Sequence, residues 1–180
     1  MRIIAGKYRA KKLFSPIDRM VRPTADRTRE AIFNILYSQL QGNYSELILA
    51  DIFAGTGAFG FEALSRGFKK VCFVDIDTAL VQKNANLFCK EQDKIKIIKA
   101  DATKLPQLNL QFDVVFFDAP YAKELSKTAL QQVLKQNLLN KQSICIVEMH
   151  KDENFALPEE FYIVDERVYG IAKVVFLKLR

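Results

Sequence analysis

Asp118-Ala119-Pro120-Tyr121 follows the apolar run Val114-Val115-Phe116-Phe117 and sets an acceptor carboxylate beside an aromatic face. Together these groups can grip a planar base by its exocyclic amine, the carboxylate accepting an N–H while the ring stacks on the base. An apolar strand that ends in a short polar loop delivers such residues to the carboxyl edge of a sheet, where open α/β folds bind ligands. Taken alone, the run reads equally well as a buried parallel strand that Asp-x-Pro turns out of the sheet.

Three further acids at strand ends decide between the two readings. Leu47-Ile48-Leu49-Ala50 ends in Asp51, and the segment that follows, through Phe53, Gly55, Gly57 and Gly60, leads into a helical pattern beginning Phe61-Glu62-Ala63-Leu64. Gly55-x-Gly57-x-x-Gly60 has the spacing with which glycines make a tight turn and let the backbone approach a ligand over a helix N-terminus. That match is weak by itself. Asp75 strengthens it, because it ends the apolar strand Val71-Cys72-Phe73-Val74 some 20 positions beyond Gly55 and can take both hydroxyls of a ribose. Asp101 ends a third such run, Ile95 to Ala100. Four successive strand ends that each carry an acid or a glycine turn indicate a nucleoside-type pocket.

The elements that must position these residues alternate. Strands are expected at 47–51, 70–75, 94–99, 112–118 and 143–148, with helices at 57–66, 78–90 and 123–137, which implies a parallel sheet covered on both faces. A helix led by Pro23 and capped by Thr24 places Ala31, Ile32, Ile35, Leu36 and Leu40 on one face and stops at Gln41-Gly42-Asn43. The last segments, 162–168 and 171–177, flank Tyr169-Gly170 as a hairpin.

Asp51 to Gly60, Asp75, Asp101 and Asp118 to Tyr121 together resemble the motifs of class I S-adenosylmethionine-dependent methyltransferases. The acid four residues before Gly55 also argues against a nicotinamide enzyme. The resemblance implies a Rossmann-like α/β fold whose seven-stranded, mostly parallel sheet has the order 3-2-1-4-5-7-6 with the last strand antiparallel. It also implies S-adenosylmethionine as cofactor, held by Asp51, Phe53, Gly55, Gly57, Asp75, Ile76, Asp101, Ala102 and Asp118. Within that set Gly55 and Gly57 lie beneath the methionine part, Asp75 meets the ribose and Asp101 the adenine amine, while Asp51 orients the loop or meets the ammonium. Asp118, Ala119, Pro120 and Tyr121 become the catalytic tetrapeptide. The family usually has proline where Ala119 stands; alanine keeps the carbonyl, and Pro120 confines it to extended conformations, so the geometry is expected to persist with less rigidity.

A narrower resemblance lies in the opening part of the chain. Arg2-Ile3-Ile4-Ala5-Gly6-Lys7-Tyr8-Arg9 and Arg22 to Leu36 are similar to the opening of the bacterial small-subunit ribosomal RNA guanine-N2 methyltransferases, the RsmD type. It implies transfer of a methyl group to a guanine N2 amine of small-subunit rRNA within an assembling subunit. The residues alone leave open guanine N2, adenine N6 or another amine, since a carboxylate suits each. A catalytically weakened RNA-binding assembly factor is a further alternative.

Charge agrees with a polyanionic partner. Residues 1–29 hold nine Lys or Arg against two Asp, a net +7 in a chain of net +6, so residues 30–180 carry −1. The basic stretch is interleaved with Ile3, Ile4, Tyr8, Leu13 and Phe14, which predicts an ordered hairpin and not a solvated tail. Residues 1–22 are therefore expected to form a basic arm for RNA, with Lys7, Arg9, Lys11, Lys12, Arg22 and Thr24 as contacts, on a single methyltransferase domain, 23–180. At 180 residues and 49% hydrophobic, the chain can bury one good core.

Other features point elsewhere than to chemistry. Cys72, Cys89 and Cys145 are odd in number and far apart, and read as reduced core residues of a cytoplasmic protein. His150 has no Cys or His neighbour at metal spacing, and no metal is expected. No run is long enough for a membrane span, no signal-peptide pattern opens the chain, and a monomer is expected. Glu148, ending the 143–148 strand, is one more acid at the same edge, suited to contact a base or an RNA-binding loop, or to cap a backbone amide.

Overall fold

The computed structural model describes residues 1–16, 23–120, 125–153 and 155–180. Its elements are α1 (Pro23–Gln39), β1 (Ile48–Ile52), α2 (Ala58–Arg66), β2 (Lys70–Asp75), α3 (Ala79–Ala85), β3 (Ile95–Lys99), β4 (Phe112–Asp118), α4 (Leu125–Lys135), β5 (Leu139–His150), β6 (Phe161–Tyr169) and β7 (Ala172–Leu179). The seven strands form one sheet in the order β3-β2-β1-β4-β5-β7-β6. Only β7 runs against its neighbours β5 and β6. Because β1 to β5 are parallel, their carboxyl ends, with Asp75 and Asp118 among them, share one edge.

Strand alternation divides the core into two layers. Leu49, Val71, Phe73, Val114, Phe116 and Ile146 face α1, α2 and α3, whereas Ala50, Cys72, Val115, Phe117, Cys145 and Val147 face α4. On the first face Phe59 stacks on Phe116 at a centroid distance of 3.7 Å and on Phe33 at 4.7 Å, joining α2 to the sheet and to α1. Each such ring contributes about 1.5–3 kcal/mol through burial. Phe33 thus joins the buried face of α1 with Ile32 and Leu36, a face broader than the sequence pattern implies.

The helix expected over 78–90 stops at Ala85 and continues as 3₁₀ turns over Asn86–Lys94, with non-helical angles at Phe88 and Glu91. Tertiary packing decides this: Phe88 leaves the helical path to stack on Phe61 at 4.7 Å and to meet Tyr8 edge-on at 5.0 Å. The same turns push Cys89 out to solvent, so only Cys72 and Cys145 are core cysteines. The final hairpin turns at Gly170-Ile171, one residue later than expected, with Gly170 in the left-handed region at φ 64°. Among the described residues no helix is long and apolar enough to cross a membrane, and no group of three or more His, Cys, Asp or Glu is arranged to hold a metal.

Residues 1–16 are tied by hydrogen bonds to α2 and α3. A single antiparallel bridge, Arg2 to Lys12, closes the segment. Ile3 and Leu13 enter the same core as α1 and α2.

Candidate active site

The loop after β1 is shaped by carboxylates that accept backbone N–H groups. Asp75 Oδ2 accepts from Gly55 at 2.7 Å, and its Oδ1 accepts from Asp77 at 2.9 Å, so one side chain sets both the glycine turn and the chain leaving β2. Asp51, only 2% exposed, accepts from Gly60 at 2.9 Å. Burial pushes its carboxyl up to about 8; the Gly60 N–H opposes this, and the negative charges of Asp118 and Asp75 add to it.

The glycines do different work. At Gly55, whose φ is +53°, a Cβ would meet nothing closer than a backbone oxygen at 4.0 Å, so the loop is open there. At Gly57 a Cβ would stand 2.6 Å from Phe61 and 2.8 Å from Val81. Gly57 therefore permits close packing beneath the loop, a requirement separate from any approach of its backbone to a ligand. Buried Asn84 of α3 braces the same loop, donating to the Thr56 carbonyl at 2.8 Å. It also donates to the Phe14 carbonyl at 3.0 Å and accepts from the Phe14 N–H at 2.7 Å.

Above the carboxyl edge lies a cleft of about 1240 Å³. Asp51, Phe53, Gly55, Asp75, Ile76, Asp101 and Ala102 line one end, and Asp118, Ala119, Pro120 and Glu148 the other. Ile76 is 68% exposed there and offers an apolar surface to a planar ring. Asp101 accepts from both the N–H and the hydroxyl of Thr103, at 2.8 and 2.7 Å, and these bonds lower its pKa. Tyr121 and Arg22 lie outside the described residues, as does the side chain of Thr24.

At the other end, β4 and β5 set Asp118 beside Glu148. Glu148 is pushed above the ordinary carboxylate range by burial and by the charge of Asp118, with Arg29 acting in the opposite direction. Arg29, buried in α1, is held by Asp26 and by the Arg2 carbonyl, both at 2.9 Å, and lines the cleft over these acids.

The basic residues of the opening segment divide. Lys7 pairs with Glu91, and Lys11 donates to the Leu87 carbonyl at 2.9 Å while lying over the Tyr8 and Phe88 rings. Arg9 and Lys12 are exposed. Three residues that sequence reasoning missed hold the segment down. Glu62 accepts from the N–H groups of Ile4 and Ala5 at 2.7 and 3.0 Å, Ser65 meets Tyr8 and Ala5, and Glu91 takes Lys7, Lys94 and Tyr8. A glutamate inside the apolar helical pattern 58–64 was the available signal, and the structure buries it wholly. Glu91 offered none.

The strand order, the antiparallel β7 and the glycine turn beneath an acid-rimmed cleft define a Rossmann-like methyltransferase fold. The chain belongs to the family described as conserved hypothetical protein 95, whose model matches residues 1–178. It is 36% identical over 177 residues to the ribosomal RNA small subunit methyltransferase D of Haemophilus influenzae, covering 95% of this chain and 90% of that one. The Escherichia coli K12 protein of the same name is 29% identical over 173 residues, 94% of this chain and 85% of its own. Among solved structures, one described as "Putative methyltransferase yhhF from Escherichia coli" superposes with a TM-score of 0.83 at 27% identity, covering 100% of this chain and 98% of that one.

Proposed function

We propose that the protein transfers a methyl group from S-adenosylmethionine to the exocyclic N2 amine of a guanine in small-subunit ribosomal RNA. The observation that carries this reading is the shared cleft: the Asp75-braced glycine turn lies at one end and Asp118-Ala119-Pro120 at the other. The names of the relatives support a ribosomal RNA of the small subunit as substrate.

The residues present fit the cofactor. The open space at Gly55 leaves room for a methionine part, Asp75 lines the cleft with lone pairs left over from the Gly55 and Asp77 N–H groups for the hydroxyls of a ribose, and Ile76 with Asp101 and Ala102 offers an apolar face and an acceptor to a purine. When bound, S-adenosylmethionine supplies a methyl group already activated on a sulfonium sulfur. The chain then has to align the acceptor nitrogen and exclude water. Asp118 and the Ala119 carbonyl would accept the two amine N–H groups, which draws the nitrogen lone pair out of conjugation and stabilises the charge that develops on it. Tyr121 would stack on the base. The nitrogen loses its extra proton after transfer, so no strong base is required.

RNA would lie across the opening segment, with Arg9, Lys12, Arg22 and Thr24 at its phosphates, while Lys7 and Lys11 act more through the integrity of that segment. The test is transfer of labelled methyl to immature small subunits, followed by nucleoside analysis. N2-methylguanosine is expected. N6-methyladenosine would move the target, and RNA binding without label would overturn the enzymatic reading.

A further inference from the structure

Glu148 has a place in this cleft that the transfer chemistry leaves unused. In the parallel pair β4 and β5 it stands opposite Asp118. Val147 and Met149 on either side of it pack into the α4 layer, so Glu148 turns the other way, with Ile146, just as Asp118 turns with Phe116. Both carboxyls line the cleft beneath Arg29. Neighbouring strands stand about 4.8 Å apart, which matches the scale of the hydrogen-bonding edge of a purine. A base whose amine sits on Asp118 presents its next edge atoms to Glu148.

We propose that Glu148 is a specificity residue whose carboxyl reads the N1–H and O6 of the target guanine while Asp118 holds the amine. This rests on the guanine-amine reading above. A protonated carboxyl has one O–H donor and one carbonyl acceptor. Guanine satisfies both, giving N1–H to the carbonyl and taking the O–H on O6. Adenine with its amine on Asp118 offers a lone pair at N1 and then a C–H, and so leaves one oxygen unpaired.

The surroundings favour that protonated form. Glu148 faces Asp118 on β4, with Asp51 beyond it on β1 and Arg29 and Asp26 on α1. β7 places Val174 opposite. His150, further along β5, is 3.5 Å from Asp152. Burial and the charge of Asp118 outweigh Arg29, so the proton is retained above the ordinary range. As pH rises and it leaves, a second acceptor faces O6 and recognition weakens.

The test compares guanine with 2-aminopurine at the modified position of reconstituted small subunits. 2-Aminopurine keeps the amine but has a lone pair at N1 and a C–H in place of O6. The unsubstituted enzyme is expected to prefer guanine in kcat/KM by about tenfold to a hundredfold. Glu148→Gln should keep that ratio, because an amide offers the same acceptor and donor, and should remove its fall at alkaline pH. Glu148→Leu should bring guanine down to the level of 2-aminopurine with cofactor affinity unchanged. A guanine preference that survives in Glu148→Leu, or a Glu148→Gln enzyme as unselective as Glu148→Leu, would overturn the assignment. Label on adenine with the unsubstituted enzyme would overturn the guanine reading itself.

Discussion

The two ends of the cleft use carboxylates in opposite ways. On the β3-β2-β1 side each acid meets donors from its own neighbourhood. Asp75 takes the Gly55 and Asp77 N–H groups and Asp101 takes Thr103, and outside the cleft lining Glu91, which leads into β3, likewise takes Lys7, Lys94 and Tyr8. Donation to a carboxylate favours its charged form, and Asp101 and Glu91 are accordingly lowered. On the β4-β5 side the acids stand against one another, and Glu148 is raised. Asp51, on the central strand, belongs with the second group despite its bond from Gly60. One end thus presents carboxylates that already accept hydrogen bonds, and the other a raised carboxyl beside a carboxylate. That difference suits a cofactor with hydroxyls and amines at one end and a base with mixed donors and acceptors at the other.

The largest effect should come from separating the ends. Asp118→Ala is expected to lower methyl transfer by about 10²–10⁴-fold while cofactor affinity by calorimetry stays near that of the unsubstituted protein. Equal losses in both would mean that the two ends are one site. Asp75→Ala should do the reverse, weakening cofactor binding by about tenfold to a hundredfold, since the Gly55 turn loses its acceptor together with the ribose contact. An unchanged dissociation constant would remove Asp75 from the cofactor site.

Smaller effects sharpen the electrostatic contrast. The Glu91 carboxyl falls from 4.5 to about 2 in the folded protein, first through the Lys7 bond and then through Lys94. Its contribution to stability is therefore full above 4.5 and is lost as pH falls towards 2. Glu91→Gln should lower the melting temperature by a few degrees near neutrality, with the gap to the unsubstituted protein closing in acid; a constant gap would argue against ionisation as the cause. Asp51 has the opposite sign. Its raised value makes the folded state lose stability as pH climbs from 3.8 through about 8. Asp51→Asn, which keeps an acceptor for Gly60, should raise the melting temperature slightly, more at pH 8 than at pH 5. A uniform rise would show that burial of the charge is not what the substitution relieves.

Much of the cleft was legible because strand ends are local signals. An apolar run followed by an acid fixes both the strand and the edge at which the acid emerges, so Asp51, Asp75, Asp101 and Asp118 came to one rim as their spacing implied. At Gly57 the spacing suits both backbone approach to a ligand and close packing. Phe61 and Val81, brought beneath it by the fold, add the packing requirement that the spacing alone did not show. Lys7 and Lys11 counted towards a positive arm, yet their partners, Glu91 and the Leu87 carbonyl, lie some 80 positions away and carry no local pattern.

What the sequence determined by itself is the order of the elements, the parallel sheet and the residues at its carboxyl edge. Periodicity, turn chemistry and strand-end acids act over a few residues and need no partner. Tertiary structure alone decided that Glu148 stands beside Asp118, that Asn84 ties Phe14 to the glycine loop and that Glu62 clamps the opening segment. Each depends on which strands are neighbours and which surfaces meet, and those are settled by packing two faces of one sheet at once.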